Sequence, residues 1–191
     1  GTYIGNQQIV AGDNTGPVSA QLVLKDPTVD VAVLETARGG IIRSGLGFDN
    51  CDVGVVMNVA ADHLGLKDVN TLEDLARVKS VVPRAVTRKG YAVLNAEDDL
   101  VYKMRELTNG HVVLFSLDEN NKNIERQAKR GRISCVYENG YVTILKGKWK
   151  VRVEKAVDHR LAQKPPNQRR GERLAVLAIG DQRLAIVELR S

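Results

Sequence analysis

The chain predicts an α/β fold: a mostly parallel, doubly wound sheet with a small antiparallel β meander at one end. Three observations carry that expectation. Apolar runs at 29–34, 53–57, 91–94 and 112–115 read as buried parallel strands. Segments with helix caps or helical periodicity stand between them, and strands separated by helices indicate parallel crossovers. The pattern then shifts to short alternating runs at 133–137, 141–145 and 148–153, joined at Glu138-Asn139-Gly140 and Lys146-Gly147. The Asn-Gly pair is a strong hairpin signal.

Taken in order, Asp13-Asn14-Thr15-Gly16-Pro17 is a turn running into a helix, with Pro17 near the first helical position. The helix reaches Leu24 and is expected to carry Val18, Leu22 and Val23 on one face. Strand 29–34 ends in Glu35. Residues 37–47, with four glycines and two arginines, are expected as a loop. Strand 53–57 runs directly into Asn58-Val59-Ala60-Ala61-Asp62-His63-Leu64-Gly65. Thr71-Leu72-Glu73-Asp74 is an N-cap with acids in the first turn. It opens a helix whose apolar stripe is Leu72, Leu75, Ala76, Val78, Val82 and Val86, shortened or kinked by Pro83. The strand at 91–94 stops at Asn95-Ala96-Glu97-Asp98-Asp99, and a helix through 101–107 precedes the strand at 112–115.

At 191 residues and 43% hydrophobic content, the chain suits one globular domain with an appendage. No apolar run approaches the ~20 residues of a membrane span, and the first residues form no signal peptide. Cys51 and Cys135 lack metal-type spacing and read as free thiols of a reducing compartment, so a cytoplasmic location is expected. Residues 1–158 hold 21 Lys or Arg against 20 Asp or Glu, whereas 159–191 hold 7 against 3. The body thus lacks the basic face that nucleic-acid binding needs. Expected domains are therefore 1–158 and a basic, atypical tail, 159–191, which begins as a linker around Pro165-Pro166. Its apolar runs, Leu174–Ile179 and Leu184–Leu189, suit either a last βαβ fragment or a hairpin around Gly180-Asp181.

Chemistry concentrates at strand ends. Open α/β sheets build ligand sites at the carboxyl edge, where Glu35 and the Asn58, Asp62, His63 set fall. Each alone is ordinary: a strand-end carboxylate, a structural histidine. Lys79 alone would be a helix-surface lysine, but its place on or near an apolar stripe favours an inward-pointing side chain. A carboxylate, an imidazole and a lysine from separate elements suit a cation and phosphate site. The glycine-rich stretch at 37–47 is a weaker signal: its backbone N–H groups suit phosphate, yet it has no Lys-Ser/Thr. Asp98-Asp99 is explained by a helix start, which leaves Asn95 as the residue of independent interest there.

The order Glu35, Asn58-x-x-x-Asp62-His63, Lys79, then Leu94-Asn95-Ala96-x-Asp98-Asp99 resembles the central ATP-binding domain of the Mur ligase family. Stretches such as Gly12-Asp13-x-Thr15-Gly16-Pro17, Ala37-Arg38-Gly39-Gly40 and Asn58–Asp68 most resemble its cyanophycin synthetase branch, over about residues 1–158. The resemblance implies ATP-dependent amide formation through an acyl phosphate. It implies Mg²⁺ held by Glu35, a second Mg²⁺ held by His63, and Lys79 as a carbamoylated metal ligand, with His63 and Lys79 as the catalytic pair. It also implies nucleotide binding by Asn95, Asn58, Arg38, Gly39 and Gly40. Implied partners are ATP, amino acids and a peptide polymer primer, with no nucleic acid or membrane, and a homo-oligomeric parent protein. The family's Gly-x-Gly-Lys-Thr/Ser loop does not occur in the 191 residues. The expectation is a fragment, inactive alone, of a ligase of the cyanophycin type. The alternatives are another Mur-type peptide ligase, or a remnant that only binds nucleotide or partner subunits.

Overall fold

A computed structural model describes residues 1–12, 14–61, 65, 69–155, 177–180 and 183–186. Its centre is a six-stranded sheet of β3 (Cys51–Val56), β4 (Val86–Asn95), β5 (His111–Ser116), β6 (Ser134–Glu138), β7 (Tyr141–Lys146) and β8 (Trp149–Lys155), following β1 (Thr2–Ile4) and β2 (Gln7–Val10), which form a separate hairpin. β3 to β6 pair in parallel; β7 and β8 extend the same sheet antiparallel. Asn139 and Gly140 take the positive φ of 52° and 82° that a tight hairpin turn demands and that Asn-Gly supplies.

Register aligns the apolar rows. Val56, Leu94 and Leu114 are neighbours across three strands, as are Val55, Val93 and Val113. Successive side chains face opposite sides of a strand, so the two rows enter separate clusters. The first joins Leu75 of α3 (Leu72–Lys79), Val101 of α5 (Asp99–Lys103) and Ile124 of α6 (Lys122–Lys129). The second gathers Met57, Tyr91, Phe115 and Ile133 around Val55, Val93 and Val113. Leu94 and Val101 are fully shielded, at 0% exposure, which marks the first cluster as the main core.

Four expectations need correction. Residues 29–37 form no strand, and Val31 and Val33 are exposed. An apolar run states a demand for burial, whereas a strand exists through ladder partners, and this run pairs with none among the described residues. In α1 (Pro17–Leu24) Ala20 and Val23 are the buried residues, and Val18 is 77% exposed. Residues 38–44 are a helix, α2 (Arg38–Ser44), rather than a loop. Gly40 lacks a side chain for packing reasons: a Cβ there would stand 3.2 Å from the Thr15 carbonyl oxygen. The stripe assigned to one helix is divided between α3 and α4 (Val81–Arg84), and Val86 opens β4 instead.

α6 is an element the sequence reading missed. Asn121 caps it by accepting from the Asn123 and Ile124 N–H groups, and Ile124, Gln127 and Ala128 are its buried face. The helix expected at 101–107 appears as α5 followed by a 3₁₀ turn at Met104–Glu106. Within the proposed tail, β9 (Leu177–Gly180) and β10 (Arg183–Ile186) pair antiparallel about Gly180 and Arg183; the 158/159 boundary lies outside the described residues. Among the described residues no helix is long and apolar enough to cross a membrane. Cys51 and Cys135 are unbonded, half-buried thiols. Burial pushes both up to about 11, with the Asp52 charge adding to the effect at Cys51.

Candidate functional site

Parallel pairing puts the carboxyl ends of β3, β4 and β5 at one edge, so Asn58, Asn95 and Ser116 emerge side by side. β3 ends at Val56, and beyond it the chain leaves the ladder with its backbone polar groups still needing partners. Side chains supply them. Asn95 Nδ2 donates to the Met57 carbonyl at 2.9 Å. Lys79 Nζ donates to the Asn58 carbonyl at 2.7 Å. The Val59 N–H donates to Asp98 Oδ2 at 2.6 Å.

Each donor or acceptor is delivered by a local device. Lys79 is the last residue of α3, whose start is fixed by a capping box: Thr71 Oγ1 accepts from the Asp74 N–H while Asp74 accepts from the Thr71 N–H. Buried Leu75 anchors the helix to the core, and one turn later the lysine reaches the exit of β3. Lys79 is half-buried, and its ammonium makes this bond on the exposed side of the edge. Asn95 ends β4; its Oδ1 accepts from the Glu97 N–H at 2.8 Å, closing the turn toward α5. Asp98 Oδ1 caps α5 by accepting from the Leu100 and Val101 N–H groups, both at 3.0 Å.

Glu97 completes the edge. Its Oε1 accepts from Ser116 Oγ at 2.6 Å and from the N–H groups of Leu117 and Asp118. Burial opposes its ionisation, but the Ser116, Asp118 and Leu117 hydrogen bonds outweigh burial and hold the carboxyl below its ordinary value. Asp98 and Glu97 both escaped sequence reasoning, which treated Asp98 as a helix start alone. The available signal was the spacing Asn95-x-x-Asp98 directly after a strand, which lets one turn reach the neighbouring strand twice.

Of the residues singled out from sequence, the structure therefore brings Asn58, Lys79 and Asn95 together. Arg38, Gly39 and Gly40 form the first turn of α2, and α2 packs on α3, the helix that carries Lys79. Glu35 is half-buried in the irregular stretch before α2. His63 and Asp62 lie outside the described residues. Among the described residues no three His, Cys, Asp or Glu side chains gather as a metal cage. Mg²⁺ does not require one: it binds through one or two carboxylates, with water and substrate phosphates completing its shell. A single hard oxygen donor such as Glu35 fits that pattern, whereas an ammonium at Lys79 is no ligand unless carbamoylated.

Comparisons with known proteins place the chain in a family. Residues 1–151 match the Mur ligase middle domain. The chain is 58% identical over 158 residues to the cyanophycin synthetase of Crocosphaera subtropica, covering 83% of this chain and 18% of that protein. It is 54% identical over 156 residues to the cyanophycin synthetase of Geminocystis herdmanii, covering 82% of this chain and 18% of the relative. A UDP-N-acetylmuramoyl-tripeptide–D-alanyl-D-alanine ligase of Mycobacterium bovis is 42% identical over 66 residues, covering 35% of the chain and 12% of that enzyme. The chain thus spans about 18% of the length of the curated cyanophycin synthetases it matches. With a parallel sheet whose carboxyl edge gathers Asn58, Lys79 and Asn95, and a match running through most of its residues, the chain belongs to the Mur ligase middle-domain family.

Proposed function

We propose that this chain is the nucleotide-handling part of an ATP-dependent amide ligase of the cyanophycin synthetase type, acting on amino acids and a peptide primer in the cytoplasm as part of a homo-oligomer. The observation that carries the reading is the Lys79–Asn58 contact at the carboxyl edge of β3, the place where open α/β sheets bind ligands. The long match to cyanophycin synthetases, against a much shorter one to a muramoyl-peptide ligase, favours that branch.

In the proposed reaction a substrate carboxylate attacks the γ-phosphorus of ATP, forming an acyl phosphate and releasing ADP. An amine, arginine in this reading, then attacks the acyl carbon; phosphate leaves, the amine loses a proton, and an amide remains. Phosphoryl transfer is governed by positioning and charge neutralisation. Glu35 and His63 would hold Mg²⁺, which supplies positive charge beside the phosphates when bound. Lys79, as a carbamate, would add an anionic oxygen to that set. Asn95 keeps a second amide hydrogen for the adenine edge, with Asn58 and the Arg38–Gly40 turn flanking the nucleotide.

Two measurements test this. Titrating the ¹⁵N-labelled chain with Mg·ATP should move the resonances of Asn58, Lys79 and Asn95; shifts absent there, or confined to the β7–β8 end, would refute the assignment. Phosphate release from Mg²⁺, ATP, primer, aspartate and arginine should stay at background for the 191 residues alone, because they hold no Gly-x-Gly-Lys-Thr/Ser loop. Primer-dependent release would overturn that expectation.

A further inference from the structure

We propose that the turn Asn95–Asp98 is a positioning device for the exit of β3, with Asp98 as a positioning residue for nucleotide binding; the second half of this claim rests on the function proposed above. The turn is anchored on the β5 side. The Ala96 N–H donates to the Phe115 carbonyl at 2.8 Å, and the Glu97 carboxylate takes Ser116 Oγ and two backbone N–H groups. It is closed internally by the bond from the Glu97 N–H to Asn95 Oδ1. From that fixed base it reaches across to β3 twice, through Asn95 to the Met57 carbonyl and through Asp98 to the Val59 N–H.

Asn58 lies between those two anchored residues, and its own carbonyl receives the Lys79 ammonium. The position of that carbonyl, and of the ammonium it holds, is consequently set by the turn on one side and α3 on the other. Val59 is 8% exposed, so its N–H has little access to water and depends on Asp98. The two Asp98 oxygens do different work: Oδ1 caps α5 and Oδ2 holds Val59. An asparagine in the same cap would turn its NH₂ rather than an acceptor toward the Val59 N–H.

Asp98→Asn separates the two roles. Asparagine caps a helix about as well as aspartate, yet it offers one acceptor oxygen instead of two. In the variant the Val59 amide should exchange with solvent about tenfold faster or more, the loss of a charge-assisted hydrogen bond. The Leu100 and Val101 amides should keep their exchange rates. Mg·ATP, titrated into the full chain and followed at Asn58 and Lys79, should bind several-fold more weakly. Asp99→Asn, which removes a neighbouring first-turn charge, should change neither readout. Unchanged Val59 exchange would overturn the clamp, as would equal loss at Leu100 and Val101, which would reduce Asp98 to a cap. Faster Val59 exchange with unchanged Mg·ATP affinity would overturn the positioning role. If the parent chain shows no Mg·ATP response, the nucleotide reading fails, and Val59 exchange still decides the clamp.

Discussion

Gly54→Ala should destabilise the sheet next to the site, and its loss should be less than additive with that of Val86→Ala. A Cβ at Gly54 would stand 2.7 Å from Val86 Cγ2, 3.1 Å from the Val82 carbonyl oxygen and 3.2 Å from Val82 Cγ1. Overpacking of that kind costs about 1–3 kcal/mol. Reduced freedom of the unfolded chain returns ~0.4–1 kcal/mol when glycine becomes alanine, which leaves a net loss of roughly 1–2 kcal/mol. Val86 is 2% exposed; trimming it to alanine removes two methyl groups, about 1.6 kcal/mol of transfer energy plus a cavity contribution. In the double variant the methyl introduced at Gly54 enters the space that Cγ2 vacates, so the total loss should fall short of the sum by about 0.5–1 kcal/mol. Gly90→Ala is the control. Its tightest contact would be the Asp52 carbonyl oxygen of the paired strand, with Val86 Cγ1 farther off at 3.0 Å, so trimming Val86 relieves only the smaller part of the clash and the coupling should be weaker than at Gly54. Urea unfolding at neutral pH measures the parent, the single variants and both double variants. Additive losses in the Gly54/Val86 pair would refute the packing argument, as would an equal departure from additivity in the Gly90/Val86 pair.

Thr71→Ala removes the acceptor that caps α3 and should cost about 1 kcal/mol in thermal unfolding. Glu97→Gln keeps an acceptor oxygen but removes the charge. Because the folded carboxyl lies below its ordinary value of 4.5, its contribution is present above that value and lost as pH falls through the depressed folded one. The stability gap between parent and Glu97→Gln should thus be widest near neutrality and close in acid; a gap that persists at low pH would count against it. With ¹³C-bicarbonate, the chain should give a carbamate carbon signal that Lys79→Arg lacks.

The parallel core was legible because burial on both faces leaves a dense apolar signature: 53–57, 91–94 and 112–115 fall on β3, β4 and β5. The same signature misled at 29–34, where nothing in the run itself specifies a ladder partner. Glycine count misled at 37–47, since Gly40 answers to the close approach of Thr15 rather than to backbone freedom. At the site, Asn58, Lys79 and Asn95 were legible from their places at element ends. The role of Asp98 was not, because its second acceptor is used 39 residues away, across a strand pairing that local sequence does not encode.

The exit of β3 explains why these residues stand together before any ligand is considered. Ladder pairing ends at Val56, yet Val59 is again buried, so the three residues from Met57 to Val59 must carry polar backbone out of the sheet without the sheet's own partners. A buried, unmatched N–H or C=O costs about 1–3 kcal/mol, more than most surface contacts return. Asn95 and Asp98 remove that cost at Met57 and Val59, while Lys79 holds the exposed Asn58 carbonyl between them, and in doing so they fix an amide, a lysine nitrogen and a carboxylate within one turn of backbone. Substitutions here will therefore lower stability and ligand affinity together when they remove a hydrogen bond.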